Sequence, residues 1–190
     1  MFHKVMRVVA LLIFLPAVVR SESLDTRLLQ RIHTGWKNRH VTQVMEKTTL
    51  LGQPEVSLGL CLILSTYGSE KEKETGKLGF TSLALTGPVV SGIKYAVGRD
   101  RPYEKTSRFN SSFPSGHSAA AFAVSSVIAS EYPRLKIPAY VLAGVVAFSR
   151  VYLGKHYPSD AIAGSAIGYG IGKLVYAKRK TILALTFGGP

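Results

Sequence analysis

The chain has 190 residues, which suits one domain with a hydrophobic core, and we expect no second domain. Its formal net charge of +13 indicates an anionic partner: nucleic acid, an acidic membrane surface or a phosphorylated substrate. The basic residues are scattered and form no recognisable nucleic-acid-binding module, which argues against nucleic acid. A hydrophobic fraction of 46% and a charged fraction of 18% fit both a soluble protein and a small membrane protein.

Residues 1–21 are predicted to be a targeting segment. Lys4 and Arg7 precede the apolar run VVALLIFLPAVV, which occupies 8–19 and is followed by a polar stretch. Because this run is short for a membrane-spanning helix, a cleaved signal peptide is the favoured interpretation. An uncleaved N-terminal anchor is the alternative.

Residues 22–47 are predicted to form an amphipathic helix that lies on a surface, with Gly35 as the candidate break. The prediction rests on helical spacing among charged residues, and the apolar positions are Leu24, Leu28, Leu29 and Ile32.

Five apolar segments follow, each of helix length: 48–67, 78–97, 117–131, 137–153 and 161–177. Their many small residues, as in GSAIGYGIG at 164–172, allow helices to pack closely. We therefore predict an all-α fold, a bundle of about five to six helices, with the bundle domain at 48–180 and a C-terminal tail at 181–190. A transmembrane bundle is favoured over a soluble helical globule, although three segments are shorter than the ~20 residues that a span needs.

Three polar clusters interrupt the apolar segments: KYAVGRDRP (94–102), PSGHS (114–118) and SRVYLGKHYPSD (149–160). If the segments span a membrane and the N-terminus lies inside, all three clusters lie at the outer ends of helices. The sequence therefore predicts an active site at the outer, membrane-facing ends of the bundle.

The clusters combine permanent cations with an anion-binding helix start. Lys94, Arg101 and Arg150 supply positive charge, and arginine offers a planar fork that matches phosphate oxygens. Ser115 can cap the helix that follows it, and Gly116 lets the backbone approach a ligand closely. The free amides of that first helical turn would complete an anion site.

Two histidines and an aspartate complete the set. His117 and His156 can supply a nucleophile and a general acid. Asp160 is close enough in sequence to fix the tautomer of His156, as the carboxylate does in a catalytic triad. Together these residues indicate metal-free phosphoryl transfer, although each cluster alone is better explained as structure, for example as a salt bridge between Arg150 and Asp160.

The three clusters resemble the signature motifs of the type 2 phosphatidic acid phosphatase family. Lys-x6-Arg-Pro, Pro-Ser-Gly-His and Ser-Arg-x5-His-x3-Asp are matched at every position, in order, between residues 94 and 160. The resemblance implies a helical bundle that needs no metal and no cofactor. It implies that His156 attacks phosphorus to form a phosphohistidine, Asp160 orients it, and His117 protonates the leaving group and then activates water. It further implies that the phosphoryl oxygens are held by Lys94, Arg101, Ser115, Gly116 and Arg150.

The loop after Lys94 contains further polar residues whose function the motifs do not specify. We expect them to be solvated, with contact to a substrate headgroup as the alternative: Arg99, Asp100, Tyr103, Lys105 and Arg108.

The favoured function is hydrolysis of a lipid phosphate or diphosphate at the cell inner membrane, with the site facing the periplasm or exterior. Resemblance to bacterial family members suggests undecaprenyl diphosphate, phosphatidylglycerophosphate, phosphatidic acid or a lipid A phosphate as substrate. A soluble periplasmic acid phosphatase of the same family, acting nonspecifically, is the alternative. A non-catalytic phospholipid-binding membrane protein is the alternative from another class, and a vanadate-dependent haloperoxidase is disfavoured because those family members are much longer. The sequence predicts no oligomeric state.

Overall fold

The computed structural model describes residues 22–187, and within this range the chain is helical and has no strand. The predicted targeting segment, 1–21, and residues 188–190 lie outside the described part. Eight α-helices follow one another: α1 (Glu22–His33), α2 (Arg39–Leu50), α3 (Pro54–Tyr67), α4 (Glu70–Val97), α5 (Gly116–Glu131), α6 (Lys136–Tyr152), α7 (Pro158–Ala177) and α8 (Arg179–Phe187). Short 3-10 turns occur at Arg108–Asn110 and Pro133–Leu135.

The predicted all-α bundle is confirmed, and its five apolar segments correspond to α3 through α7. The described chain has eight helices rather than five or six. The amphipathic stretch divides into α1 and α2 at a turn that contains Gly35, and α8 adds a further helix at the end of the bundle. The side chain of Asn38 begins α2 by accepting hydrogen bonds from the backbone of His40 and Val41. These bonds satisfy amide groups that the first helical turn leaves free.

Most of the predicted C-terminal tail, 181–190, lies in a helix that packs against the bundle. Helix α8 directly follows α7 and covers the end of the bundle that lies away from the three polar clusters. Its Ile182 and Leu183 pack against a small buried group that consists of Leu78, Val127 and Val175. Burial of these apolar side chains attaches the last helix to α4, α5 and α7.

Helices α5 and α7 form the centre of the bundle, and a glycine stripe on α7 brings them together. Gly164, Gly168 and Gly172 recur every fourth residue and lie against α5. A Cβ atom at Gly168 would lie 2.0 Å from the carbonyl oxygen of Ala119, far inside van der Waals contact. Only glycine permits this approach. At Gly164 the same approach places the first turns of α7 beside Ser115, which begins α5.

The helices differ in how well they suit a bilayer. In the described chain one helical stretch, Pro133–Tyr152, is long and apolar enough to cross a membrane. The pair Arg39–Leu50 and Pro54–Tyr67 would qualify together as a single span bent by 53°. The prediction that the apolar segments span a membrane is therefore supported for only part of the bundle.

Candidate active site

The three polar clusters meet at one end of the bundle. Lys94 is in the last turn of α4, Arg150 is in the last turn of α6, and Arg101 follows α4 in a loop. His117 is in the first turn of α5, and His156 is in the short loop between α6 and α7. The charges of all four other side chains act on the His117 ring, which places them around a common centre.

The start of α5 is fixed by Ser115. This residue is fully buried, and its hydroxyl accepts hydrogen bonds from the backbone N–H of Ser118 at 3.4 Å and from the Ser118 hydroxyl at 2.9 Å. Its own N–H donates to the carbonyl oxygen of Asp160 at 2.9 Å, which joins α5 to the first turn of α7. A Cβ at Gly116 would meet only a side-chain atom of Val90, at 3.9 Å, so no protein atom requires glycine at this position. That Gly116 lets a ligand approach the backbone stays a prediction.

His156 is held in one defined orientation. Its side chain is 2% exposed, and Nδ1 lies 2.7 Å from the carbonyl oxygen of Ser112. Because a carbonyl oxygen can only accept, Nδ1 carries the proton, and the lone pair of the neutral ring is on Nε2. No residue of the described chain forms a hydrogen bond to Nε2. The ring is therefore arranged so that Nε2 can act as a nucleophile.

Asp160 supports His156 less directly than the sequence spacing predicts. Its Oδ2 atom lies 3.7 Å from Nδ1, which suits an ion pair with the charged ring but is too long for a hydrogen bond. The same oxygen accepts hydrogen bonds from the Ser112 hydroxyl and from the backbone N–H of Tyr157, the latter at 2.8 Å. The carbonyl of Ser112, rather than the carboxylate of Asp160, fixes the tautomer.

Burial lowers the pKa of His156, and the charges of Arg150 and Lys94 act in the same direction. Asp160 opposes this shift without reversing it. His156 is therefore neutral at physiological pH, which is the protonation state that nucleophilic attack requires.

The three cations are held by contacts with neighbouring elements. Arg150 is 8% exposed, and its Nη1 donates to the hydroxyl of Thr49 on α2 at 2.8 Å. The Nε atom of Arg150 is buried and has no hydrogen-bond partner among the described residues. Lys94 donates to the carbonyl of Ser111. An unpaired guanidinium nitrogen beside other cations is a favourable partner for an anion.

The other arginine of the motif, Arg101, is held by the loop that leads to α5. Its Nη2 donates to the side-chain oxygen of Asn110 at 2.6 Å, and its Nη1 lies 3.7 Å from a carboxylate oxygen of Glu104. These contacts leave the guanidinium close enough to influence the charge of Lys94 and His117. All the side chains predicted to bind phosphate therefore occupy the same end of the bundle.

Sequence reasoning misplaced Arg99. This side chain is 12% exposed rather than solvated, and it forms ion pairs with Asp160 at 2.8 Å and with Asp25 at 2.9 Å. The one weak signal in the sequence was that the short loop after α4 contains a glycine and two arginines, which suggests that a positive charge is required in this loop. Nothing in the sequence pointed to Asp25, which precedes Arg99 by 74 residues, or to Ser112 and Thr49.

The family model that matches this chain is that of the PAP2 superfamily, over residues 77–183. This range covers more than half of the chain and includes every residue of the three clusters.

Curated relatives match a shorter part of the chain. A lipid A 1-phosphatase from Porphyromonas gingivalis is 36% identical over 98 residues, which are 50% of this chain and 21% of that protein. An undecaprenyl-diphosphatase from Sulfolobus acidocaldarius is 30% identical over 133 residues, which are 58% of this chain and 65% of that protein. The chain spans less than half the length of the first lipid A 1-phosphatases that it matches.

Solved structures share the fold. A transmembrane PAP2 type phosphatidylglycerolphosphate phosphatase from Bacillus subtilis has a TM-score of 0.74 at 23% identity, covering 93% of this chain and 96% of that chain. LpxE of Aquifex aeolicus has a TM-score of 0.71 at 23% identity, covering 82% of this chain and 96% of that chain. The helical fold of this chain therefore occurs in both structures.

Proposed function

Because the chain belongs to the PAP2 superfamily, we propose that it is a metal-independent phosphatase that hydrolyses a lipid phosphate or diphosphate through a phosphohistidine. The observation that carries this proposal is the orientation of His156. Its Nδ1 is bound to the Ser112 carbonyl, so Nε2 holds the lone pair, and the charges of Arg150 and Lys94 act on the same ring. A nucleophile beside fixed positive charge is the arrangement that phosphoryl transfer needs.

In the first step the Nε2 lone pair of His156 attacks phosphorus, and the bond from phosphorus to the leaving oxygen breaks. His117 gives a proton to that oxygen, so the lipid alcohol or the shorter phosphate leaves with its new O–H bond. Burial and nearby cations lower the pKa of His117 to about 3 in the free site, so His117 holds this proton when the negative phosphate is bound beside it. The product is a phosphoryl group on Nε2, and the ring then carries a positive charge that the nearby Asp160 carboxylate stabilises. This is the same assistance that a triad carboxylate gives to an imidazolium.

In the second step water replaces His156. His117, now neutral, takes a proton from the water as its oxygen attacks phosphorus, and the bond between Nε2 and phosphorus breaks. Inorganic phosphate leaves, and both histidines regain their starting protonation states. One residue thereby acts first as an acid and then as a base.

Lys94, Arg101 and Arg150 would stabilise the charge on the equatorial phosphoryl oxygens in both steps. Permanent cations fixed by protein contacts need little rearrangement as the transition state forms. The backbone amide of Gly116, in the first turn of α5, would add a donor for the same oxygens, whereas the Ser115 N–H already donates to the carbonyl of Asp160.

An apolar groove supports a lipid substrate. The groove has a volume of about 380 Å³ and is lined mainly by apolar residues, including Phe148 and Val151 of α6 and Pro158, Ala161 and Ile162 of α7. The groove lies on α6 and α7, the same two helices that carry Arg150 and Asp160. A hydrocarbon chain that enters it would remove apolar surface from water while its phosphate remains near the cations.

The proposed lipid substrate implies that the protein resides in a membrane, and we place the site at the periplasmic or outer face. Large apolar side chains point outward from several helices, among them Ile63 of α3, Ile137 of α6 and Leu174 of α7, which are 58%, 76% and 54% exposed. Such surface suits lipid better than water. The soluble acid phosphatase keeps one argument in its favour, since a single unbent stretch in the described chain passes the length and hydropathy test for a span.

Phosphate release from a substrate panel tests the proposal. Wild type, His156→Ala and the matched control His40→Ala are compared in detergent with EDTA; His40 is exposed on α2. The panel contains undecaprenyl diphosphate, phosphatidylglycerophosphate, phosphatidic acid, lipid A and p-nitrophenyl phosphate. We expect release from at least one lipid, and a loss of about 10⁴-fold or more in His156→Ala, the scale seen for a missing nucleophile.

Other outcomes would change the assignment. Release mainly from p-nitrophenyl phosphate would favour the soluble acid phosphatase, and binding of phospholipid without any release would favour the non-catalytic protein. Equal turnover by wild type and His156→Ala would contradict the nucleophile. In Ile162→Asn, which alters the groove, we expect a several-fold higher KM for the lipid and unchanged turnover of p-nitrophenyl phosphate.

A further inference from the structure

A buried chain of ion pairs and hydrogen bonds connects the first described helix to the site. We propose that Arg99, held by Asp25 of α1, is a positioning residue that fixes Asp160 and thereby aims His156. This inference rests on the proposed function for its kinetic consequences. Asp25 lies outside the residues that the family model matches, so α1 would be an addition to the site rather than a part of its signature.

Both carboxylate oxygens of Asp160 are occupied. Oδ1 accepts from Nη1 of Arg99 at 2.8 Å, whereas Oδ2 accepts from the Ser112 hydroxyl and from the Tyr157 backbone at 2.8 Å. Asp160 is fully buried. Because Ser112 also binds Nδ1 of His156 through its carbonyl, movement of the carboxylate would move the group that fixes the imidazole.

Arg99 is itself held on three sides. Its Nη2 donates to Asp25 at 2.9 Å, its Nη1 also donates to the Ser159 hydroxyl at 2.9 Å, and its guanidinium carbon lies 3.9 Å from the centre of the Tyr157 ring. Asp25 and Arg99 have only 7% and 12% of their side chains exposed. A buried charge that loses its partner is strongly destabilised, so the two ion pairs hold each other in place.

Asp25 also fastens α1 to the start of α7. Its Oδ1 accepts from the backbone N–H of Ser159 at 3.0 Å, and its Oδ2 accepts from the Ser159 hydroxyl. Lower on α1, Leu29 packs against residues of α6 and α7, and His33 bonds the carbonyl of Tyr152 through Nδ1 at 2.8 Å. Helix α1 is therefore docked firmly enough to hold a side chain in a fixed position.

The shape of this network predicts a specific kinetic signature. Arg99 contacts Asp160 and not the phosphate-binding side chains, so its loss should reduce the rate of the chemical step more than substrate binding. We expect Arg99→Gln to lower kcat by about 10²-fold, the scale of a small misplacement of reacting groups, with KM changed by less than about threefold. Asp25→Asn should lower kcat in the same direction by a smaller factor, because Arg99 keeps its contacts to Asp160 and Tyr157.

The experiment compares wild type with Arg99→Gln, Arg99→Lys, Asp25→Asn and the double variant Asp25→Asn/Arg99→Gln. Exposed residues at the far end of the bundle provide matched controls, Arg134→Gln and Glu74→Gln. Each protein is measured for kcat, KM and thermal unfolding, and ¹⁵N-histidine NMR in micelles reports the tautomer of the ring assigned by His156→Gln. We expect partial rescue in Arg99→Lys and a double variant no slower than Arg99→Gln alone, because Asp25 acts through Arg99.

The NMR readout separates this proposal from the proposed function. If the wild type releases no phosphate, the enzymatic assignment fails, and the tautomer data still decide whether Arg99 positions His156. A single Nδ1-protonated form in wild type and a mixture in Arg99→Gln supports the proposal. An unchanged tautomer together with an unchanged kcat in a folded Arg99→Gln protein overturns it, whatever the change in unfolding temperature.

Discussion

The two halves of the site differ in how completely the protein satisfies them. The histidine side is a closed network of hydrogen bonds and ion pairs in which each charged side chain has a partner of opposite charge. Its members are Ser112, His156, Asp160, Arg99 and Asp25. On the phosphate side, three cations and His117 lie close together, and among the described residues no carboxylate forms an ion pair with Lys94 or Arg150. One nitrogen of Arg150 is buried and has no hydrogen-bond partner there. The protein alone completes the first half, whereas we expect an anion to complete the second.

This difference has an energetic consequence. Like charges that are partly removed from water repel one another, so the phosphate side lowers the stability of the folded protein. A phosphoryl group would relieve that repulsion, and more so as negative charge develops in the transition state. The histidine side has the opposite character, because each opposite charge there stabilises its neighbour. Substitutions in the two halves should therefore have different effects on stability even when both reduce activity.

Among substitutions that keep both histidines, Arg150→Gln should have the largest effect, because it removes a cation from the phosphate side. We expect kcat/KM to fall by about 10²–10³-fold, as for the loss of a group that stabilises transition-state charge. The unfolding temperature should stay the same or rise, because one of three mutually repelling cations is removed. Phosphate-release kinetics and thermal unfolding check both parts. A folded Arg150→Gln protein with wild-type kcat/KM would contradict the assignment.

Ser112→Ala would remove one hydrogen bond from the histidine side and leave the Ser112 backbone unchanged. The substitution removes the hydroxyl that donates to Asp160 but keeps the carbonyl that accepts from His156. We expect kcat to fall by about tenfold and the unfolding temperature to fall as well, because a hydrogen bond to a buried carboxylate is lost. The matched control is Ser125→Ala, a buried serine farther along α5. A drop in unfolding temperature without any change in kcat would show that the hydroxyl serves stability alone.

Thr49→Val tests how strongly a neighbouring helix aligns the phosphate side. Valine keeps the shape but removes the oxygen that accepts from Nη1 of Arg150 at 2.8 Å. We expect kcat/KM to fall by up to about tenfold, since a hydrogen bond to a charged group contributes roughly 1.5 kcal/mol. Thr48→Val is the control, because within residues 22–187 the Thr48 hydroxyl bonds the carbonyl of Val44 and not Arg150. Equal kinetics for the two variants would mean that Arg150 needs no alignment from α2.

The pH dependence of kcat/KM tests the protonation state of the histidine side. Attack needs neutral His156, so kcat/KM should rise with pH through the pKa of this residue, and burial lowers that pKa below its ordinary value of 6.5. The acid limb should therefore have its midpoint below 6.5. The cycle also needs protonated His117, whose pKa burial and the charges of Arg150, His156, Arg101 and Lys94 lower to about 3 in the free site. The profile should therefore be bell-shaped, with its maximum on the acid side of pH 6.5. An acid midpoint above about pH 7, where an unburied histidine would already be neutral, would contradict this account.

The bundle and the convergence of its clusters could be predicted from sequence because both follow from short-range patterns. Apolar segments of helix length identify α3 to α7, and the position of each cluster at the end of a segment brings Lys94, His117 and His156 together. The glycine spacing on α7 likewise indicated close helix packing, which the contact between Gly168 and α5 confirms. Segment length, cluster position and glycine spacing predict the fold well because the length of a helix determines where its two ends lie.

The connections across the site could not be predicted because they join residues far apart in the chain. Asp25 and Thr49 reach the site only through the docking of α1 and α2, and no spacing rule reports that packing. Arg99 was predicted to be a solvated loop residue because its partners, Asp25 and Asp160, lie 74 residues before it and 61 residues after it in the chain. The four-residue spacing between His156 and Asp160 suggested a direct bond, but backbone geometry gave the carbonyl of Ser112 that position.

The most direct test of the account is to trap the phosphoryl enzyme. Labelled substrate is mixed with wild type, His117→Ala and His156→Ala, quenched in alkali within one turnover, and the modified peptide is identified by mass spectrometry. In the wild type we expect an acid-labile phosphoryl group on the peptide that contains His156, and in His156→Ala we expect none. His117→Ala should accumulate more of the phosphoryl enzyme if the substitution slows water attack more than it slows departure of the leaving group. A phosphoryl group on any other residue, or none in an active wild type, would contradict nucleophilic attack by His156.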